Sequence, residues 1–114
     1  MALSTVALGL ASGCGSNHSQ AAARDAVTDA SCDYYARCGD IGAGKTYETR
    51  DSCEVQVRAS WDNAWPVEAC DGKINAAQLN TCLSAIAATE CANALDVLNT
   101  LLNKCPQDKI CSGP

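Results

Sequence analysis

The chain has 114 residues, enough for one domain, with 13 Asp and Glu against 8 Lys and Arg and a net charge of -5. That balance excludes a nucleic-acid binder, which needs a basic face to displace phosphate counterions, and a polybasic membrane-surface domain. Phe is absent and aromatics make up 4%, so the core is thin in large side chains and the nine cysteines are the obvious staples.

Residues 1–13, MALSTVALGLASG, are an uncharged run of apolar and small residues, and the first charged residue is Arg24. A permanent membrane helix needs about 20 residues, so this run reads as the apolar and cleavage regions of an export signal. It ends in Leu10-Ala11-Ser12-Gly13-Cys14, which resembles a bacterial lipobox. That resemblance implies that Cys14 becomes a lipidated N-terminus holding the protein on a membrane. Gly15, rather than Asp, follows it, which by analogy points to the outer membrane. Residues 14–20 then form the lipidated cysteine and a polar tether, and 21–114 the domain. Asn17-His18-Ser19 matches a glycosylation sequon, incidental in a bacterial lipoprotein.

From Ala21 to Cys38 the apolar positions Ala23, Ala26, Val27, Ala30, Tyr34 and Cys38 recur at steps of three and four, which predicts an amphipathic helix. Ser19 caps its start and Gly39 stops it. After a glycine-rich loop, a second helix begins past Thr49, aligns Cys53, Val57, Trp61 and Ala64, and stops before Pro66. Residues 66–73 read as a loop with a turn at Asp71-Gly72. Asn75 caps a third helix, with Gln78 reaching back to it and Ile74 stapling onto Leu79. Its buried stripe is Leu79, Cys82, Leu83 and Ile86. A fourth helix, about Asn93 to Asn103, turns Leu95, Leu98, Leu101, Leu102 and Cys105 inward, and Pro106 ends it. No segment alternates with period two, so no sheet is expected. The fold class is all-α, a small bundle of about four short helices.

The cysteines lie at 14, 32, 38, 53, 70, 82, 91, 105 and 111. Nine is odd. Assigning Cys14 to lipid leaves Cys32, Cys38, Cys53, Cys70, Cys82, Cys91, Cys105 and Cys111, enough for up to four disulfides. No pair is spaced C-x-x-C, so zinc knuckles, thioredoxin motifs and haem attachment are not indicated, and no metal or cofactor is expected. Eight cysteines allow 105 connectivities. One pair is favoured by geometry: an antiparallel hairpin of the first two helices sets Cys38, at the end of one, beside Cys53, at the start of the other. Cys32, off the main stripe, is expected to reach the C-terminal Cys105 or Cys111.

Gly39-Asp40-Ile41-Gly42-Ala43-Gly44-Lys45-Thr46 satisfies G-x-x-x-x-G-K-[ST] at every fixed position. The phosphate-cradling mechanism needs a strand before the loop and a parallel sheet around it. A helix precedes it here, so the loop reads as a helix connection with Lys45 in solvent, and no nucleotide is expected. The single histidine, His18, lies in the tether, leaving no Ser-His or Cys-His pair for the domain. The carboxylates are scattered as a solvated surface. No catalytic residue is assigned. Trp61 and Trp65, four apart at the end of a helix, are the candidate partner-binding residues, and core packing is the competing reading of both.

The series Cys32, Arg37-Cys38, Ile41-Gly42, Gly44-Lys45-Thr46-Tyr47, Arg50, Cys53, Cys70, Cys82, Cys91, Cys105 and Cys111 resembles small cysteine-rich lipoproteins of myxobacterial type, labelled natural product biosynthesis lipoproteins. The resemblance covers about residues 20–112 and implies a lipid on Cys14 and no catalytic residue. The expected function is a non-enzymatic, membrane-anchored envelope lipoprotein that serves as a small binding or interaction module for a protein or small-molecule partner. The alternative is an accessory lipoprotein in natural product biosynthesis or export.

Overall fold

The structure of the protein, a computed structural model, describes residues 18–91 and 94–114, with the backbone alone for 94–98. The signal expected at 1–13, Cys14 and Asn17 lie outside the described residues, as do the side chains of Leu95 and Leu98. The fold is all-α. Four main helices, α1 (Gln20–Arg37), α2 (Arg50–Ala64), α4 (Ala76–Ala87) and α5 (Ala94–Lys104), are joined by two single turns, α3 (Val67–Cys70) and α6 (Gln107–Ile110). Both single turns follow a proline, and the first lies in the stretch 66–73 that reads as a loop from sequence. Pro66 and Pro106 stand at their N-caps, where the preset φ starts a turn and the missing N–H costs nothing.

Caps set the helix bounds. The Ser19 hydroxyl accepts the Ala22 N–H at 3.0 Å, Thr49 accepts that of Ser52 at 3.0 Å, and Asn75 that of Gln78 at 3.0 Å. The expected reach-back from Gln78 is replaced: the Asn75 N–H donates to the Ile110 carbonyl at 2.7 Å. α1 closes in a Schellman motif, the Gly39 N–H on the Ala36 carbonyl and the Asp40 N–H on that of Tyr35, with Gly39 at φ +77°.

α1 and α2 lie antiparallel. Arg24 near the start of α1 pairs with Asp62 near the end of α2 at 3.3 Å, and Asp33 with Arg50 at 2.9 Å. The first pair is part-buried and the second exposed, and each contributes about 1 kcal/mol or less, so they mark register more than they stabilise. The buried seam carries the weight: Val27, Cys32, Val57, Trp61 and Trp65. α4 also packs on α1, and its Cys82 and Ile86 are buried.

Four disulfides tie the bundle: Cys32–Cys53, Cys38–Cys91, Cys70–Cys111 and Cys82–Cys105. The favoured Cys38–Cys53 pair is not formed, and Cys32 does not reach Cys105 or Cys111. Helical rotation explains both differences. Six residues of α-helix turn through about 600°, which leaves Cys38 roughly 120° away from the face that carries Cys32. The Arg50–Asp33 pair shows that the first turn of α2 sits level with Cys32, not with the end of α1. Cys53 therefore meets Cys32, while Cys38 turns toward the end of α4.

The stretch 71–75 gathers both ends of the described chain. The Gly72 N–H donates to the His18 carbonyl at 2.8 Å, and His18 Nδ1–H to the Ile74 carbonyl at 3.0 Å, so the imidazole expected in a tether is docked. The Gln20 N–H donates to Asp71 Oδ1 at 3.1 Å. From the other end, the Gly113 N–H reaches the Lys73 carbonyl and Asn75 Nδ2 reaches that of Gly113. The glycine-rich loop lies at the far end of α1, about 27 Å away along an 18-residue helix.

Candidate functional site

That far pole is assembled from the end of α1, the loop 39–49 and residues 88–91. The loop is held by its own backbone. An isolated bridge joins Ile41 to Tyr47, the Gly42 N–H donates to the Tyr47 carbonyl at 2.8 Å, and the Tyr47 N–H to that of Asp40 at 3.0 Å. The Lys45 N–H closes on the Gly42 carbonyl at 2.9 Å. The Gly39, Asp40, Gly42 and Lys45 N–H groups of the pattern are thus committed to carbonyls of the chain itself. Lys45 is exposed, α1 stands where a strand is needed, and no strand forms among the described residues. Gly39 serves the Schellman turn rather than an anion nest.

Beneath the loop lies an aromatic floor that the sequence reading did not single out. Tyr35 meets Tyr34 edge-on at 5.6 Å and Tyr47 at 5.0 Å between ring centroids. Tyr35 follows Tyr34 directly, and a helix stripe read at steps of three and four passes over one of two adjacent residues. Its one sequence signal was a second large aromatic in a chain almost without them. Among the described residues, neither the Tyr35 hydroxyl nor Asp40 Oδ2, both buried, has a hydrogen-bond partner.

Burial first, then the Tyr47 phenol and Asp40, push Tyr35 above the ordinary tyrosine value. The unfolded chain releases this proton near pH 10 while the folded chain holds it. The stability it contributes is therefore whole below about pH 10 and is lost as pH rises further. In an alkaline titration, the phenolate absorbance of Tyr35 is expected to appear only with loss of the helical signal. A Tyr35→Phe variant should lack that coincident step. Ionisation of Tyr35 near pH 10 in an intact fold would show the burial argument to be wrong.

The connection after α4 is fastened to this pole three times. The Tyr34 hydroxyl donates to the Glu90 carbonyl at 2.8 Å, Arg37 Nη2 to that of Thr89 at 3.0 Å, and Cys38 bonds Cys91. The Arg37 guanidinium also lies 5.1 Å from the centre of the Tyr34 ring.

Trp61 and Trp65, the candidate partner-binding residues, are both 0% exposed. They stack at 4.9 Å with a tilt of 48°, and each indole N–H is satisfied inside, on Ser31 Oγ at 3.1 Å and on the Cys105 carbonyl at 3.0 Å. The core reading holds for both, and neither offers a face to a partner. The reason is the thin core: with no Phe, the indoles are the largest groups available to fill the seam.

A shallow groove of about 210 Å³ runs between α1 and α4, lined by Ala22, Ala23, Ala26, Ala76, Leu79 and Asn80. Among the described residues no cluster of three His, Cys, Asp or Glu is arranged to hold a metal ion. Nor is any helix there long and apolar enough to cross a membrane.

A family of unknown function, DUF6184, matches residues 32–113. The chain belongs to the DUF6184 family. The matched stretch runs from Cys32 past Cys111 and takes in all four disulfides and the glycine-rich loop, so the DUF6184 region coincides with the stapled bundle and leaves Cys14 and the first turns of α1 before it. No curated protein and no solved structure matches the chain.

Proposed function

We propose that the protein is a non-enzymatic, membrane-anchored lipoprotein of the cell envelope that presents a small disulfide-stapled bundle as a binding or interaction module. The observation that carries this reading is cysteine bookkeeping. Four disulfides use the eight cysteines from Cys32 to Cys111, and the ninth, Cys14, stands at the end of an apolar run in a lipobox-like sequence. Four disulfides in so small a chain also suit an oxidising compartment outside the cytoplasm. With both ends of the bundle gathered at residues 71–75, an anchor at Cys14 leaves the glycine-loop pole facing away from the bilayer. Gly15 favours the outer membrane over the inner.

The test is Cys14→Ser in the native host. The wild-type chain is expected in the membrane fraction with an acyl mass adduct, and the variant in the soluble fraction at its unmodified mass. A variant that pellets with membranes as the wild type does would sink the anchor. A narrower reading, an accessory role in making or exporting a natural product, rests on the resemblance to myxobacterial-type lipoproteins. Unaltered product in a deletion strain would set it aside.

A further inference from the structure

The four disulfides differ in how exposed their cysteine residues are. Cys32 and Cys53 are 0% exposed, and Cys82 and Cys105 are 1% exposed. Cys70 is 0% exposed opposite a half-buried Cys111. The fourth bond joins a half-buried Cys38 to an exposed Cys91. Thiol–disulfide exchange needs in-line approach of an external thiolate to a sulfur, so access ranks the four bonds as targets.

We propose that Cys38–Cys91 is a redox-exchange site for an external dithiol, and that the other three bonds are structural. One thiolate of the dithiol attacks Sγ of Cys91. The bond to Cys38 breaks, and its electron pair leaves on Sγ of Cys38. The second thiol of the dithiol then attacks the mixed disulfide and releases Cys91. The dithiol is oxidised to its disulfide by two electrons, the protein pair is reduced, and the two protons lost by the dithiol end on Cys38 and Cys91.

One feature of the pole suits this role. The connection keeps two fastenings when the bond opens, Tyr34 to Glu90 and Arg37 to Thr89. Cys91 therefore stays near Cys38, and the bond closes again when an oxidised dithiol is supplied. This inference is independent of the anchor at Cys14 and stands or falls without it.

The experiment uses the intact folded chain at neutral pH without denaturant. It is exposed to graded dithiothreitol, quenched with a thiol alkylator and mapped by peptide mass. Cys38 and Cys91 should be labelled at least about tenfold faster than the other six domain cysteines, with the helical signal retained. Oxidised dithiothreitol should then restore the unlabelled state. Equal labelling of all eight, earlier labelling of Cys70 and Cys111, or failure of the reduced pair to close would each overturn the proposal.

Discussion

Trp65→Ala is expected to destabilise the bundle by about 3–5 kcal/mol, a large part of the 5–15 kcal/mol typical of a small domain. Trp65 does several things at once. It ends α2 with its N–H on the Trp61 carbonyl at 2.8 Å, stacks on Trp61, and sends its indole N–H to the Cys105 carbonyl next to α6. Its own carbonyl accepts Gln20 Nε2 at 2.8 Å, from a side chain that is 1% exposed. Truncation leaves a cavity against Trp61 and an unpartnered buried carbonyl at Cys105, and these costs add. In a non-reducing thermal melt the midpoint should fall by on the order of 20 °C. A shift of only a few degrees would mean that the seam collapses around the missing ring. Trp65→Phe, which keeps most of the volume but not the N–H, should lie between the two.

Removing Cys70–Cys111 by the double change Cys70→Ala, Cys111→Ala is expected to cost about 4 kcal/mol. The bond closes 41 residues, between the 15- and 100-residue loops for which loop-closure entropy gives about 3 and 4.7 kcal/mol. Cys38–Cys91, closing 53 residues, gives a similar figure by the same argument, so stability alone does not separate them. Location does. Cys70 ends α3 and Cys111 follows α6, so this bond pins the C-terminal turn onto the stretch that also holds His18 and Gln20. Hydrogen exchange should quicken first in residues 106–114 and at the Gly72 and Asn75 amides, while the α1–α2 seam stays protected. Uniform quickening across α1 and α2 would show that the clamp is not a separate unit.

The two changes probe different layers of the same architecture. Trp65 tests how much the seam between α1 and α2 depends on one indole. The disulfide tests whether the ends of the chain are held by covalent closure or by the hydrogen bonds around 71–75. The glycine-loop pole depends on neither directly. Its loop is closed by its own backbone, and its link to α4 by Cys38–Cys91 and two side-chain hydrogen bonds.

What the sequence determined by itself is local. Ser19, Thr49 and Asn75 mark helix starts because a capping oxygen reaches an N–H three residues on, and Gly39 marks a stop because it takes a positive φ. The stripes Cys53–Val57–Trp61 and Cys82–Ile86 are buried as their spacing requires. The misleading phosphate-loop pattern was also readable as a connection, from the helix before it. The tertiary structure alone decided which cysteine meets which, that both tryptophans face inward, and that His18 is docked. Each of these depends on how far one helix is rotated and slid against another. Cys32 and Cys38 are separated along α1 by about 9 Å and by a rotation of roughly 120°, and the slide and turn of α2 against α1 select Cys32 as the neighbour of Cys53. That offset arises from the sum of many weak contacts in the seam, and no residue encodes it alone.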